Sequence, residues 1–168
     1  MGFIGVIMHF KHVLTLGILL ACTITFGASL DDLASVVKSA SGVYREGGKA
    51  AIPNTVILAT GNFGYMNHIQ NFKCWLDRLH MKALVFSLDA EGYQAMQRIN
   101  KGNTGDKSVY TYLWNAGEGE VKTSNAGFAS KQFHVVTLSK IEAALAVMKL
   151  GYDVFFMDTD VALLQDPF

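Results

Sequence analysis

The stretch Leu150-Gly151-Tyr152-Asp153-Val154-Phe155-Phe156-Met157-Asp158-Thr159-Asp160 decides how this chain folds. Gly151 stands where a glycine in the left-handed conformation ends a helix. Val154 to Met157 is apolar without alternation, which predicts a fully buried strand. That strand delivers two acids, Asp158 and Asp160, one residue apart. Working backwards, Ser139-Lys140-Ile141-Glu142 has the form of a capping box, in which a hydroxyl satisfies an early N–H and the glutamate reaches back. A helix is therefore expected from Ser139 through Leu145, Met148 and Leu150, feeding the strand.

The same alternation extends upstream. Thr55-Val56-Ile57-Leu58-Ala59 predicts a short strand running into the loop Thr60-Gly61-Asn62. Ile69, Phe72, Trp75, Leu76 and Leu79 recur at helical spacing over Asn67 to His80, with Asn67 as N-cap. Ala83 to Leu88 is a second strand, closed by Asp89, and Tyr93, Met96 and Ile99 mark another helix. Residues 101–130 are glycine-rich and read as loop with one strand, Val109 to Trp114. Strands and helices in this order predict an α/β fold, a mainly parallel sheet with flanking helices on both faces. Ligands of such sheets sit outside the carboxyl ends of the strands. Those ends carry Thr60, Asn62, Asp89, Asp158 and Asp160.

Two carboxylates two residues apart on extended backbone point the same way, and unless one is protonated they need a cation. Hard oxygen donors without a neighbouring His or Cys favour Mg2+ or Mn2+, ions that keep open positions for substrate phosphates. The alternative is a pair of solvated acids at a strand end. Asp89 either accepts hydrogen bonds from a nucleoside or caps the helix starting at Ala90. The loop Thr60 to Gly64 either presents N–H groups to a phosphate or is an ordinary Gly-Asn turn. Lys140, at an expected helix start where a cation opposes the dipole, suggests a bound anion, or else is a solvated lysine. Cys74, between Phe72 and Trp75, reads as a small buried hydrophobe. The five histidines have no metal spacing, and His68 and His80 read as surface residues.

Hydrophobic residues make up 51% of the 168 residues and charged residues 17%, against roughly 25% charged in an average domain, so a disordered chain is excluded. Lys plus Arg and Asp plus Glu are both 14, leaving no basic surplus for nucleic acid. The scarcity of charge is concentrated in residues 1–30, whose one charged side chain is Lys11. Residues 13–30 form an uncharged run near the lower limit for crossing a bilayer core of roughly 30 Å. With Lys11 before it and Asp31 and Asp32 after it, the positive-inside bias makes 1–12 a cytoplasmic tail. The run is either a signal anchor or a signal peptide cleaved near Gly27-Ala28-Ser29, which would give a secreted product. Residues 31–53 read as a stem.

The segments Val56 to Asn62, Asn71 to Leu76, Val85 to Asp89 and Leu150 to Phe168 together resemble the nucleotide-diphospho-sugar transferases of glycosyltransferase family 77. That family includes plant rhamnogalacturonan-II xylosyltransferases and extensin arabinosyltransferases. The most specific part is the ending: Gly151-Tyr152, the strand, the D-x-D, then Leu164-Gln165-Asp166-Pro167-Phe168. The resemblance implies a GT-A fold of Rossmann type over 54–168, a type II Golgi membrane protein with its catalytic part lumenal, and a metal-dependent nucleoside-diphosphate-sugar donor, with a UDP-sugar expected. The acceptor would be a glycan or glycoprotein. By position, Asp158 and Asp160 match the metal- and diphosphate-binding motif, Thr60 and Asn62 the nucleotide-facing loop, Asp89 the acid near the nucleoside, and Lys140 the basic residue before the D-x-D. Such enzymes continue beyond the D-x-D strand, so the donor-binding half alone is expected here.

Two rivals accompany the transferase reading. A dehalogenase-type phosphatase also carries D-x-D after a buried strand, but wants Thr or Val where this chain has Ala162. A catalytically incomplete, membrane-tethered nucleotide-sugar-binding or structural protein is the non-enzymatic alternative.

Overall fold

Val56, Ile57, Leu58 and Ala59 are completely buried, as are Ala83, Leu84, Val85 and Phe86. A strand buried on both sides must lie inside a sheet with both faces covered. The computed structural model, which describes residues 30–42, 52–100, 107–114, 131–165 and 167, places both runs at the centre of a four-stranded sheet. The elements in chain order are α1 (Leu30–Ala40), β1 (Thr55–Gly61), a 3-10 turn (Phe63–Tyr65), α2 (Met66–Arg78), β2 (Ala83–Ser87), α3 (Ala90–Asn100), β3 (Val109–Leu113), α4 (Lys131–Lys149) and β4 (Asp153–Phe156). The sheet order is β3-β2-β1-β4 and every pairing is parallel. The register sets Ile57 opposite Ala83 on one side and opposite Phe155 on the other.

Alternation along β1 sorts the core into two layers. Ile57 and Ala59 pack with Ile69, Phe72 and Leu76 of α2 and Met96 of α3. Val56 and Leu58 face Leu33, Val37 and Ala40 of α1 and Ala143 and Val147 of α4. Phe86 anchors this second layer, its ring 5.5 Å from Tyr112 and 5.1 Å from Trp114. Burial first, and then the Asp32 carboxylate, push the Tyr112 phenol above its ordinary value.

The α/β reading holds, and the differences from it have physical causes. Residues 31–53 do not all form a stem: α1 buries three apolar side chains against the sheet, so the folded unit begins before residue 54. The helix before the D-x-D starts at Lys131, eight residues ahead of the expected capping box. Ser139 is buried in its middle and donates its hydroxyl to the Val135 and Val136 carbonyls. Asn67 is not an N-cap; α2 grows out of the 3-10 turn, with Tyr65 at its cap position. Cys74 is exposed, since two residues beyond Phe72 it lies on the far side of α2. β4 is not fully buried. It is a sheet edge among the described residues, with Asp153 exposed and Val154 and Phe156 half-covered.

Gly151 does end the helix in the left-handed region, at φ 87°, and its N–H donates to the Met148 carbonyl at 3.0 Å. Val109 to Leu113 is the strand anticipated in the glycine-rich region; residues 101–106 and 115–130 lie outside the described residues. So does the predicted membrane segment, apart from Leu30, which opens α1. Among the described residues no helix is long and apolar enough to cross a membrane.

Candidate functional site

In a sheet ordered 3-2-1-4 the chain leaves β1 toward one side and returns on its other side at β4. The crevice between the carboxyl ends of those two strands is the place where such folds bind ligands. A cleft of about 170 Å³ lies there, lined by Thr60, Gly61 and Asn62 after β1, Phe133, Val136, Thr137 and Lys140 of α4, and Asp158, Thr159 and Asp160 after β4, with Tyr65 and Leu88 completing it. Enclosing a drug-sized ligand takes roughly 300 Å³ or more. The cleft can therefore hold part of a nucleotide-sized molecule, with the rest outside.

Each wall follows from the sequence. Thr60 has the parity of Val56 and Leu58, so its side chain faces the α4 layer. It is buried, and its hydroxyl has no hydrogen-bond partner among the described residues. Gly61 faces the other layer, where an added Cβ would stand 3.0 Å from Ile69 Cδ1. On α4 the small residues Ser139 and Ala143 lie inward. That lets the helix approach the sheet and carries Lys140 to the cleft. β4 ends at Phe156, and the Met157 N–H donates to the Leu58 carbonyl at 2.9 Å, continuing the ladder by one step. The chain then turns, the Val161 N–H donating to the Asp158 carbonyl at 3.2 Å. Thr159 is buried while Asp158 and Asp160 stay exposed. The two carboxylates thus share the cleft through a turn and not through extended backbone.

Lys140 donates a hydrogen bond to Asp158 Oδ1, closing a partly exposed ion pair. Its ammonium also lies 5.8 Å from the centroid of the Phe156 ring. Since Lys140 sits in the middle of α4, the expectation of a cation at a helix start is corrected. What holds it is the aspartate across the cleft.

Asp89 does not line the cleft. Of its two expected roles the structure shows the cap. Oδ1 accepts from the Gly92 N–H at 2.8 Å, and both oxygens accept from the Phe63 N–H at 3.1 Å. The residue is 5% exposed. The Phe63 N–H is therefore committed to a carboxylate, which removes it from any phosphate-binding role for the Thr60 to Gly64 loop. The structure brings together Thr60, Asn62, Lys140, Asp158 and Asp160, and leaves Asp89 beneath them. Sequence reasoning missed Thr137, Phe133 and Tyr65 as cleft walls. For the first two the signal lay in the true start of α4, which the apparent capping box hid.

A family profile described as nucleotide-diphospho-sugar transferase matches residues 78–168. That segment contains Lys140, Asp158 and Asp160, whereas Thr60 and Asn62 precede it. The chain is also similar to the beta-arabinofuranosyltransferase RAY1 of Arabidopsis thaliana, 30% identical over 114 residues. The aligned part is 67% of this chain and 20% of that relative, so the chain spans about a fifth of the relative's length. No solved structure matches it. The family profile covers more than half of the chain, and its descriptor agrees with the parallel sheet and the cleft at the β1/β4 crevice: the chain belongs to the nucleotide-diphospho-sugar transferase family.

Proposed function

We propose that the chain forms the donor-binding part of a glycosyltransferase, with a GT-A-type fold, that takes a nucleoside-diphosphate sugar, here a UDP-sugar, and serves transfer to a glycan or glycoprotein hydroxyl. The supporting observation is the cleft at the β1/β4 crevice. It sets a lysine, two carboxylates and the Thr60 hydroxyl, which has no hydrogen-bond partner among the described residues, around a space suited to a diphosphate. Residues 13–30 would anchor the protein in the Golgi membrane as a type II protein, with this domain in the lumen.

Asp158 and Asp160 would hold a divalent cation, Mn2+ or Mg2+. The donor set fits: two hard carboxylates line the cleft, and such ions commonly take one or two carboxylates and complete their shell with water and substrate phosphate. When bound, the ion would stabilise negative charge on the departing diphosphate. Thr60 would offer its hydroxyl to a ligand oxygen, and Lys140 its ammonium to the phosphates.

Calorimetric titration of UDP into the full chain, with and without Mn2+, tests this reading. The expected result is that Mn2+ tightens UDP binding about tenfold, a common size for coupling between two ligands, and that Asp160→Ala removes the gain. Equal Mn2+ dependence in wild type and variant overturns the metal assignment. No UDP binding in either condition overturns the nucleotide reading. Turnover of a UDP-sugar separates a transferase from the binding-only alternative.

A further inference from the structure

Lys140 is the sole cation among the described residues lining the cleft, and it is spent on Asp158. Asp160 has no ion-pair partner among the described residues. The two acids therefore present one net negative charge instead of two. Lys140 and Asp158 are held from opposite walls. One extends from α4, its ammonium near Phe156; the other sits on the turn fixed by the Met157 and Val161 N–H groups. Neither side chain is deeply buried: Lys140 is 32% and Asp158 52% exposed. A pair this open is weak enough to be exchanged for another partner.

We infer that the Lys140–Asp158 pair is an exchangeable clamp that couples cation binding to nucleotide binding. The inference rests on the nucleotide reading above and adds an order of events to it. In the ligand-free protein Lys140 neutralises Asp158 and occupies a carboxylate oxygen that a cation would need. A divalent ion arriving alone must displace the lysine and meets its repulsion. When a diphosphate enters, Lys140 gains an alternative anion, lets go of Asp158 and leaves both carboxylates available. Nucleotide thereby raises cation affinity, and by linkage the cation raises nucleotide affinity by the same factor. No bond is made or broken covalently; the lysine changes anions.

The clamp predicts gains of affinity, which damage to the site does not produce. Lys140→Met keeps the apolar stem near Phe156 and removes the charge. Titrated into the full chain without nucleotide, MnCl2 should bind this variant about twofold to fivefold more tightly than wild type, the scale of an exposed ion pair. The enhancement of Mn2+ binding by UDP should shrink by at least that factor. Asp158→Asn should show the converse: weaker Mn2+ binding, with metal-free UDP bound about twofold to fivefold more tightly because Lys140 is already released. Lys149→Met removes an equal charge from the exposed last turn of the same helix and should change none of these affinities.

Unchanged or weaker Mn2+ binding by Lys140→Met, in a protein whose wild type binds UDP and Mn2+ together, overturns the clamp and leaves the nucleotide reading standing. An equal gain in Lys149→Met also overturns it, since the effect would then be bulk electrostatics. Absence of UDP binding in wild type overturns both.

Discussion

Asp89 and Asp158 look alike in the sequence. Each comes after an apolar strand, and in the fold each lies at the carboxyl end of the same sheet, Asp89 past β2 and Asp158 past β4. Their fates are opposite. Asp89 is enclosed between the start of α3 and the turn after β1, and its oxygens are taken by the N–H groups of Phe63 and Gly92. Asp158 stands in the open cleft with its carboxylate held by Lys140. The difference comes from the next element of the chain. After Asp89 a helix begins at once and its first N–H groups need acceptors. After Asp158 the chain turns without a helix and makes no such demand. An acid at a strand end is thus a fold residue or a site residue according to whether the next element consumes it.

The largest effect that could break this contrast is at Asp89. Asp89→Ala removes a helix cap and leaves the buried N–H of Gly92 and the part-buried N–H of Phe63 without an acceptor. Losses of about 2–4 kcal/mol in unfolding free energy are expected, measured by urea denaturation. A loss below about 0.5 kcal/mol, the usual scatter of neutral surface changes, would mean that the carboxylate does not hold β1 to α3. Next in size is Gly92→Ala. An added Cβ would stand 2.5 Å from Asp89 Oδ1, 2.8 Å from the Phe63 nitrogen and 3.0 Å from Ser87 Oγ. Two of these neighbours belong to the cap itself, so relief requires breaking it. The expected cost is about 1–3 kcal/mol, despite the better helix propensity of alanine. A stabilised Gly92→Ala protein would show that the cap is looser than its hydrogen bonds suggest.

The same contrast explains what could be read from the sequence. Unbroken apolar runs such as Val56 to Ala59 and Ala83 to Phe86 can be satisfied only inside a sheet, and the parallel α/β architecture followed from them. Its carboxyl-end rule then placed Thr60, Asn62, Asp158 and Asp160 at a common cleft, which the strand order β3-β2-β1-β4 creates. Legibility failed where one local pattern had two physical uses. Ser139 and Glu142 have capping-box spacing, yet the Ser139 hydroxyl bonds carbonyls of the preceding turn inside a longer helix. α1 belongs to a segment of weak periodicity, and its anchoring through Leu33, Val37 and Ala40 becomes visible only when the sheet is present to receive them. Val154 to Met157 is as apolar as the central strands, but β4 is half-covered because strand order, which no single strand encodes, makes it an edge among the described residues. α4 carries the same lesson on its outer side, where Leu138, Ile141 and Leu145 are exposed.

The smallest predicted effect completes the comparison from the other side. Asp158→Asn keeps the shape of the side chain and gives up one exposed ion pair. The turn that carries it is fixed by main-chain bonds from Met157 and Val161, which the substitution leaves alone. Exposed pairs contribute about 0–1 kcal/mol, so urea denaturation of the metal-free protein should differ from wild type by no more than about 0.5 kcal/mol. Asp89→Asn, the same chemical change at the end of β2, should cost clearly more, because both Asp89 oxygens are acceptors and an amide offers one. If the two asparagine variants were equally destabilised, Asp158 would be a structural residue and its assignment to the cleft would fail. If both were neutral, the buried carboxylate at the head of α3 would have to find its worth in function, and the division between the two acids would dissolve.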